Sequence, residues 1–178
     1  MIEGKNVWCM NLKDNRNDRE RNKDVELKFN ICREKNKIAI GWPINEKVNS
    51  WEEYKEISDK KYKGDKGYAA ARNAFEKVQY GDLIWTKNPK TGDYYLVEII
   101  DKNEKPSICN ELSEKDIVAY RHCKFFPIKS QYIIGPLHNT KLRAIRAIEK
   151  MGTEKRGDTI IATIELFNSR KVEQNEMD

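Results

Sequence analysis

Hydrophobic and polar positions along the chain repeat with two periods, and the change from one to the other marks out elements. The clearest block runs from Phe75 to Asp101. Within it, Asp82 to Thr86 (DLIWT) and Tyr94 to Ile100 (YYLVEII) are rich in β-branched and aromatic residues, which suit a pleated surface. Between them lies Asn88 to Asp93 (NPKTGD), a loop by its turn chemistry. Pro89 cannot donate to a ladder, and Gly92 tolerates positive φ. A hairpin of a small, strongly bent sheet is predicted.

The remaining elements follow in order. Asn6 to Met10 is a short first strand. Asn11 to Asp24 is polar and without period, which reads as an exposed loop. It is a solvated linker, or a basic loop laid along a phosphate backbone by Lys13, Arg16, Arg19 and Arg21. Val25 to Lys35 fits both periods, and helix is preferred, with Asp24 as its cap. Ile38 to Trp42 (IAIGW) is a buried strand, with Pro43 holding Trp42 out of the α region. Ser50 and Glu53 have capping-box spacing, so a helix begins at Trp51.

Tyr62 to Gly67 is a basic break. Tyr68, Ala71, Phe75 and Val78 then form the stripe of a second helix. Past the hairpin, Lys102 to Lys115 is a loop. Ile117 to Phe126 is a strand with Val118, Tyr120 and His122 on one face and Ala119, Arg121 and Cys123 on the other; Pro127 ends it. Leu142, Ile145, Ile148 and Met151 predict a helix over Thr140 to Met151, with Lys141, Arg143, Arg146 and Lys150 around the rest of its surface. Met151 to Asp158 is a break, Thr159 to Phe167 is either strand or helix, and Asn168 to Asp178 is a polar tail. Short strands with unequal helical connections exclude regular βαβ winding. An α+β domain with a small, bent, partly closed β-barrel flanked by helices fits.

The 178 residues suit one domain of ordinary size. Hydrophobic residues make up 38% and aromatic residues 10%, enough for a modest core and against wholesale disorder. The 34 basic and 29 acidic residues leave a net charge of +5, a weak pointer to a polyanionic partner. No apolar run approaches the length of a membrane span, and no basic head and apolar block open the chain. Cys9, Cys32, Cys109 and Cys123 are scattered with no CxxC pair, which predicts reduced thiols, no metal site and a cytoplasmic setting.

Three pieces in order resemble a known family: Ile38-Ala39-Ile40-Gly41-Trp42, then Phe75 with Gly81-Asp82-Leu83-Ile84, then Ile117 to Phe126 with Arg121. They are similar to the EVE/YTH-like branch of the PUA superfamily, in particular the reader domains at the front of modification-dependent restriction enzymes. The resemblance covers roughly Val7 to Met151. The hairpin strand YYLVEII lacks the glycine often seen near its start, and the loop after the first strand is unusually long. The resemblance implies a reader domain over residues 1–151, with 152–178 packed on it. It implies an aromatic cage for a modified base flipped out of nucleic acid, DNA by preference. Matched positions give Trp8, Trp42 and Trp85 as the rings, with Trp51 and Tyr120 as weaker choices. Asn11 is placed for a base edge. Arg121 matches the family's strand arginine as a phosphate contact, and Arg16, Arg19, Arg143 and Arg146 are basic candidates beside it.

Catalytic constellations are wanting. Glu53-Tyr54-Lys55 spells a nuclease-like ExK, but on a predicted helix. No GxSxG, GxxxxGK[ST] or HExxH occurs. A non-catalytic, cofactor-free binding module is expected. The alternative is a protein-interaction module of a phage or host-defence system on the same fold, with a partner effector protein or domain.

Overall fold

The computed structural model describes residues 5–12, 25–133 and 147–177. In chain order these form β1 (Val7–Met10), α1 (Leu27–Glu34), β2 (Lys37–Ile40), α2 (Trp51–Lys61) and α3 (Lys66–Lys77). Then come β3 (Leu83–Lys87), β4 (Tyr94–Ile99), β5 (Ser107–Ile108), β6 (Ala119–Ile128), β7 (Ile148–Lys150) and α4 (Thr153–Met177).

The chain is a mixed α+β fold built on a curled half-barrel sheet. Its strand order is β2-β6-β4-β3-β1-β7, with β5 pairing off β6. The predicted hairpin is the middle of this path, in register from Leu83↔Glu98 to Lys87↔Tyr94. Its loop closes as the turn residues require: Gly92 has φ +82° and the Asn88 side chain accepts from the Lys90 and Thr91 N–H groups.

β6 bends the sheet. Its first half pairs with β2 (Lys37↔His122 to Ile40↔Ala119), and its second half pairs with β4 (Ile99↔Cys123 to Tyr94↔Ile128). Pro127 therefore lies inside the strand, opposite Tyr95, and does not end it. β4 is that half's partner among the described residues, so the missing proline N–H faces a free edge.

Alternation sends side chains to two cores. Along β1, Trp8 and Met10 join Ile38, Ile40, Val97 and Ile99 on one face, closed by α1, α2 and α3 through Phe29, Trp51, Tyr54, Ala71 and Phe75. Val7 and Cys9 point the other way, with Leu83, Trp85 and Leu96, under Ile164 and Phe167 of α4.

The helix starts follow local chemistry. Ser50 Oγ accepts from Glu53 N–H at the head of α2, and the Glu53 carboxylate returns to Asn49 N–H at 2.8 Å. Asp65 caps α3 through Tyr68 N–H at 3.0 Å. Glu26 holds the N-cap position of α1 without a side-chain capping bond, and the expected cap Asp24 lies outside the described residues.

Two expectations near the C-terminus are corrected. Ile148–Lys150, read as the end of a helix, is strand β7, antiparallel to β1 through Trp8↔Lys150 and Met10↔Ile148. The break before Asp158, the ambiguous Thr159–Phe167 run and the polar tail are together helix α4. Apolar residues spaced at Ile160, Ile164 and Phe167 reach the sheet, and Trp85 Nε1 donates to Thr163 Oγ1 at 3.0 Å. The Asn11–Asp24 loop beyond Leu12 and the helix expected from Thr140 as far as 146 lie outside the described residues.

Candidate functional site

Trp42 follows β2 and has φ +65°, a left-handed conformation that costs a non-glycine residue about 1–3 kcal/mol. Four elements hold it there. Its N–H donates to Asp116 Oδ1 at 3.3 Å, and Asp116 Oδ2 accepts from Lys28 Nζ at 3.0 Å. Both partners of that ion pair are buried, with side chains 3% and 4% exposed. The Tyr54 hydroxyl of α2 lies 3.2 and 3.0 Å from the carbonyl oxygens of Gly41 and Trp42. The indole Nε1 donates to Asp65 Oδ2, at the head of α3, at 3.3 Å.

Gly41 makes this possible: a Cβ there would sit 1.8 Å from Asp116 Oδ1. The Trp42 ring stays half-buried, edge-on to Tyr68 at 6.0 Å, and Tyr68 tilts against Tyr62 at 5.2 Å. Burial pushes the Tyr68 phenol up to about 12, partly offset by the Ser58 hydroxyl. Burial also pushes the Tyr54 phenol far up. Both rings are therefore neutral hydrogen-bond donors near neutral pH.

From Trp42 a strip of small residues runs along α3. The space beside Gly67 is bounded by the Trp42 ring, whose Cζ2 lies 4.0 Å from where a Cβ would be. Ala70 and Ala74 continue the same helix face, ~4.5 and ~10 Å further on at 1.5 Å per residue. They open onto a groove of about 650 Å³ between α3 and β7, lined by Trp8, Ala70, Asn73, Ala74, Lys77, Ile148, Glu149 and Lys150. That volume lies within the range of small-ligand sites.

At the groove's far side Trp8 is locked by Asp82. The buried carboxylate accepts from Trp8 Nε1 (2.9 Å), Gln79 N–H (3.1 Å), Asn6 N–H (3.1 Å) and Asn6 Nδ2 (3.1 Å). Lys150 Nζ stands 5.8 Å from the Trp8 ring. Two lysines and one glutamate leave the groove lining with a single net positive charge.

The candidate residues separate. Trp8 and Trp42 belong to the α3 side of the sheet. Trp85 does not: paired opposite Cys9, it points to the other face and is fully buried under α4. Three indoles therefore do not converge, because neighbouring register positions on β1 and β3 face opposite ways. Trp51 is fully buried against Tyr54. Tyr120 lies on the outer face of β6, edge-on to His122 at 5.2 Å. Asn11 donates its N–H to Ala147 O at 2.9 Å, just past β1.

Arg121, expected at a phosphate, is fully buried. Its guanidinium donates to the carbonyls of Asn103 (2.6 Å), Glu104 (3.2 Å) and Glu76 (3.5 Å), clamping a loop to the end of α3. Alternation sets it on one face with Ala119 and Cys123, and that face is buried. Arg16, Arg19, Arg143 and Arg146 lie outside the described residues. Missed from sequence were Lys28, Asp116, Tyr62, Asn73 and Lys77. Asp65, three residues before Tyr68, carried a capping signal; Lys28 and Asp116, 88 residues apart, carried none.

The four cysteines are buried and unbridged, and burial pushes the Cys32 thiol up to about 11. His122 and Cys123 point to opposite faces of β6. Among the described residues, no three His, Cys, Asp or Glu side chains are grouped to hold a metal ion. Nor is any helix among them long and apolar enough to cross a membrane. No protein-family model, no curated protein and no solved structure matches this chain.

Proposed function

We propose that this chain is a non-catalytic nucleic-acid-binding module, directed to DNA, that takes one modified, flipped-out base into the groove between α3 and β7. The reading rests above all on Trp42. A strained backbone, held by the buried Lys28–Asp116 pair through the Trp42 N–H, by the Tyr54 hydroxyl and by the indole bond to Asp65, keeps a half-buried indole at the head of a strip of glycine and alanine. Strain of this kind persists only where the surroundings over-determine it, and it clusters at binding sites.

In place of a three-indole cage, the half-buried Trp42 ring heads the strip that leads into the groove, and the largely buried Trp8 contributes only to the groove's wall. Asn73 and Glu149 offer a donor and an acceptor to a base edge, and Lys77 and Lys150 take flanking phosphates. Extruding a base costs a few kcal/mol. Ring stacking restores about 1–3 kcal/mol per base. A buried methyl adds about 0.8 kcal/mol, so one methyl alone gives about a four-fold preference.

Fluorescence anisotropy tests this with plain duplex, duplexes carrying 5-methylcytosine or N6-methyladenine, and single strands. Binding should favour one modified duplex and weaken as salt rises. Trp42→Ala should reduce it about 5- to 150-fold, the equivalent of 1–3 kcal/mol. Equal and negligible binding to every strand would end the proposal.

A further inference from the structure

α4 covers the outer sheet face over β1, β3 and β4, where Phe167 and Ile164 lie on Leu83, Trp85 and Leu96. The β2–β6 part of that face lies beyond α4: Ala39 and Val118 are buried in it, but His122 and Lys124 are exposed and Lys37 and Tyr120 half-exposed. Lys37, Tyr120, His122 and Lys124 stand there, on the side of β6 opposite the buried Arg121 and Cys123. Lys37 Nζ lies 3.9 Å from the Tyr120 ring centre, and Tyr120 packs edge-on to His122.

The patch continues past the end of β4. Ile100 N–H and Asp101 N–H both donate to His122 O, which brings Lys102 alongside. Lys102 Nζ lies 5.3 Å from the ring of Tyr80, and Tyr80 is 59% exposed. The bordering carboxylates each have a partner, and Glu111 also feels the charge of Lys37. Glu98 accepts from Lys171 at 3.0 Å, Asp101 accepts from the N–H groups of Asn103 and His122, and Glu111 takes the Cys109 thiol. Among the described residues, Lys37, Lys102 and Lys124 form no ion pair.

We infer that this outer face is a second binding surface, for single-stranded nucleic acid. Lys37, Lys102 and Lys124 hold successive phosphates, and bases stack on Tyr80 and Tyr120. Cations beside the exposed Tyr80 and half-exposed Tyr120 rings suit a strand whose bases are free to lie on them, because every base has a π-face while only the phosphates carry charge. A base laid on Tyr120 displaces the Lys37 ammonium toward the neighbouring phosphate. The surface uses no residue of the groove, so it stands or falls without it.

The probe is a fluorescein-labelled 20-mer of thymidylate titrated at several salt concentrations. Inorganic polyphosphate, which has charge but no bases, serves as competitor. The Lys37→Ala/Lys102→Ala/Lys124→Ala variant should lose affinity, and its log–log salt slope should flatten by about 2, at about 0.7 per phosphate contact. Tyr80→Ala/Tyr120→Ala should weaken oligonucleotide binding at least five-fold and leave polyphosphate binding unchanged. Trp42→Ala should leave the thymidylate slope intact, which separates this surface from the groove. An unchanged slope in the lysine variant, with circular dichroism showing a native fold, overturns the inference. So does a ring variant that loses both ligands equally.

Discussion

Gly41→Ala probes how Trp42 is held. The added methyl carbon would lie 1.8 Å from Asp116 Oδ1, 2.3 Å from its Cγ and 2.6 Å from Oδ2, so the carboxylate has to leave. Asp116 has little room to yield: it is 3% exposed and has φ +59°. Its departure leaves the Lys28 ammonium buried and unpaired, at a cost of about 3–5 kcal/mol. Trp42 N–H also loses its acceptor, at about 1 kcal/mol. Against a total stability of about 5–15 kcal/mol, the loss is large. Urea unfolding followed by tryptophan emission should show a stability decrease of about 4–6 kcal/mol with an unchanged m value. In a Lys28→Met/Asp116→Gly background the collision partner is gone, and the same substitution should cost under about 1 kcal/mol. A Gly41→Ala protein as stable as its parent would refute the reasoning. An equal loss in both backgrounds would refute it too, since the cost would then come from the backbone.

Three further outcomes follow from named contacts. Asp82→Asn turns an amide N–H₂ toward donors and should cost about 2–3 kcal/mol, with red-shifted emission as Trp8 is released; unchanged emission would contradict that role. Arg121→Lys cannot span three carbonyls and should speed proteolysis within the 101–106 loop while leaving oligonucleotide salt slopes unchanged; a flatter slope would restore Arg121 as a phosphate contact. Glu76 is pushed up by burial, but hydrogen bonds from Lys55 and Lys105 overcome this and hold its carboxyl at about 2, below the ordinary 4.5. A lowered folded-state value means stability that is full above 4.5 and drains away as pH falls toward 2. The Tm difference between parent and Glu76→Gln should therefore shrink through that window, and a constant offset would contradict it.

The legible parts of the fold were those written locally. The Asn88–Asp93 turn, the Ser50–Glu53 cap and the Tyr68–Phe75 stripe each depend on residues within a turn or two of one another. The failures were non-local. Leu142, Ile145, Ile148 and Met151 have helical spacing, yet Ile148–Lys150 pairs with β1, more than a hundred residues earlier. TIIATIELF is β-branched enough to read as strand, and only its packing on Trp85 and Leu96 decides for helix. At the site, matching tryptophans by position ignored which face each strand position takes. Trp8 and Trp85 sit on neighbouring strands but in separate cores. Trp42 was named as a candidate because it follows the glycine of the strand that carried the resemblance, whereas the ion pair that holds it joins α1 to a turn before β6 and left no local signal.

The indole N–H resonances offer the most direct measurement of the central claim. Each of the four tryptophans contributes one such signal to a ¹⁵N–¹H spectrum, assignable by single substitution. Titration with the best-bound duplex should shift the Trp42 signal most and the Asp82-tethered Trp8 signal less. The signals of Trp51 and Trp85, buried on α2 and under α4, should stay in place. If Trp42 does not move at saturation, or if Trp85 moves in its stead, the groove between α3 and β7 is not where a base is held.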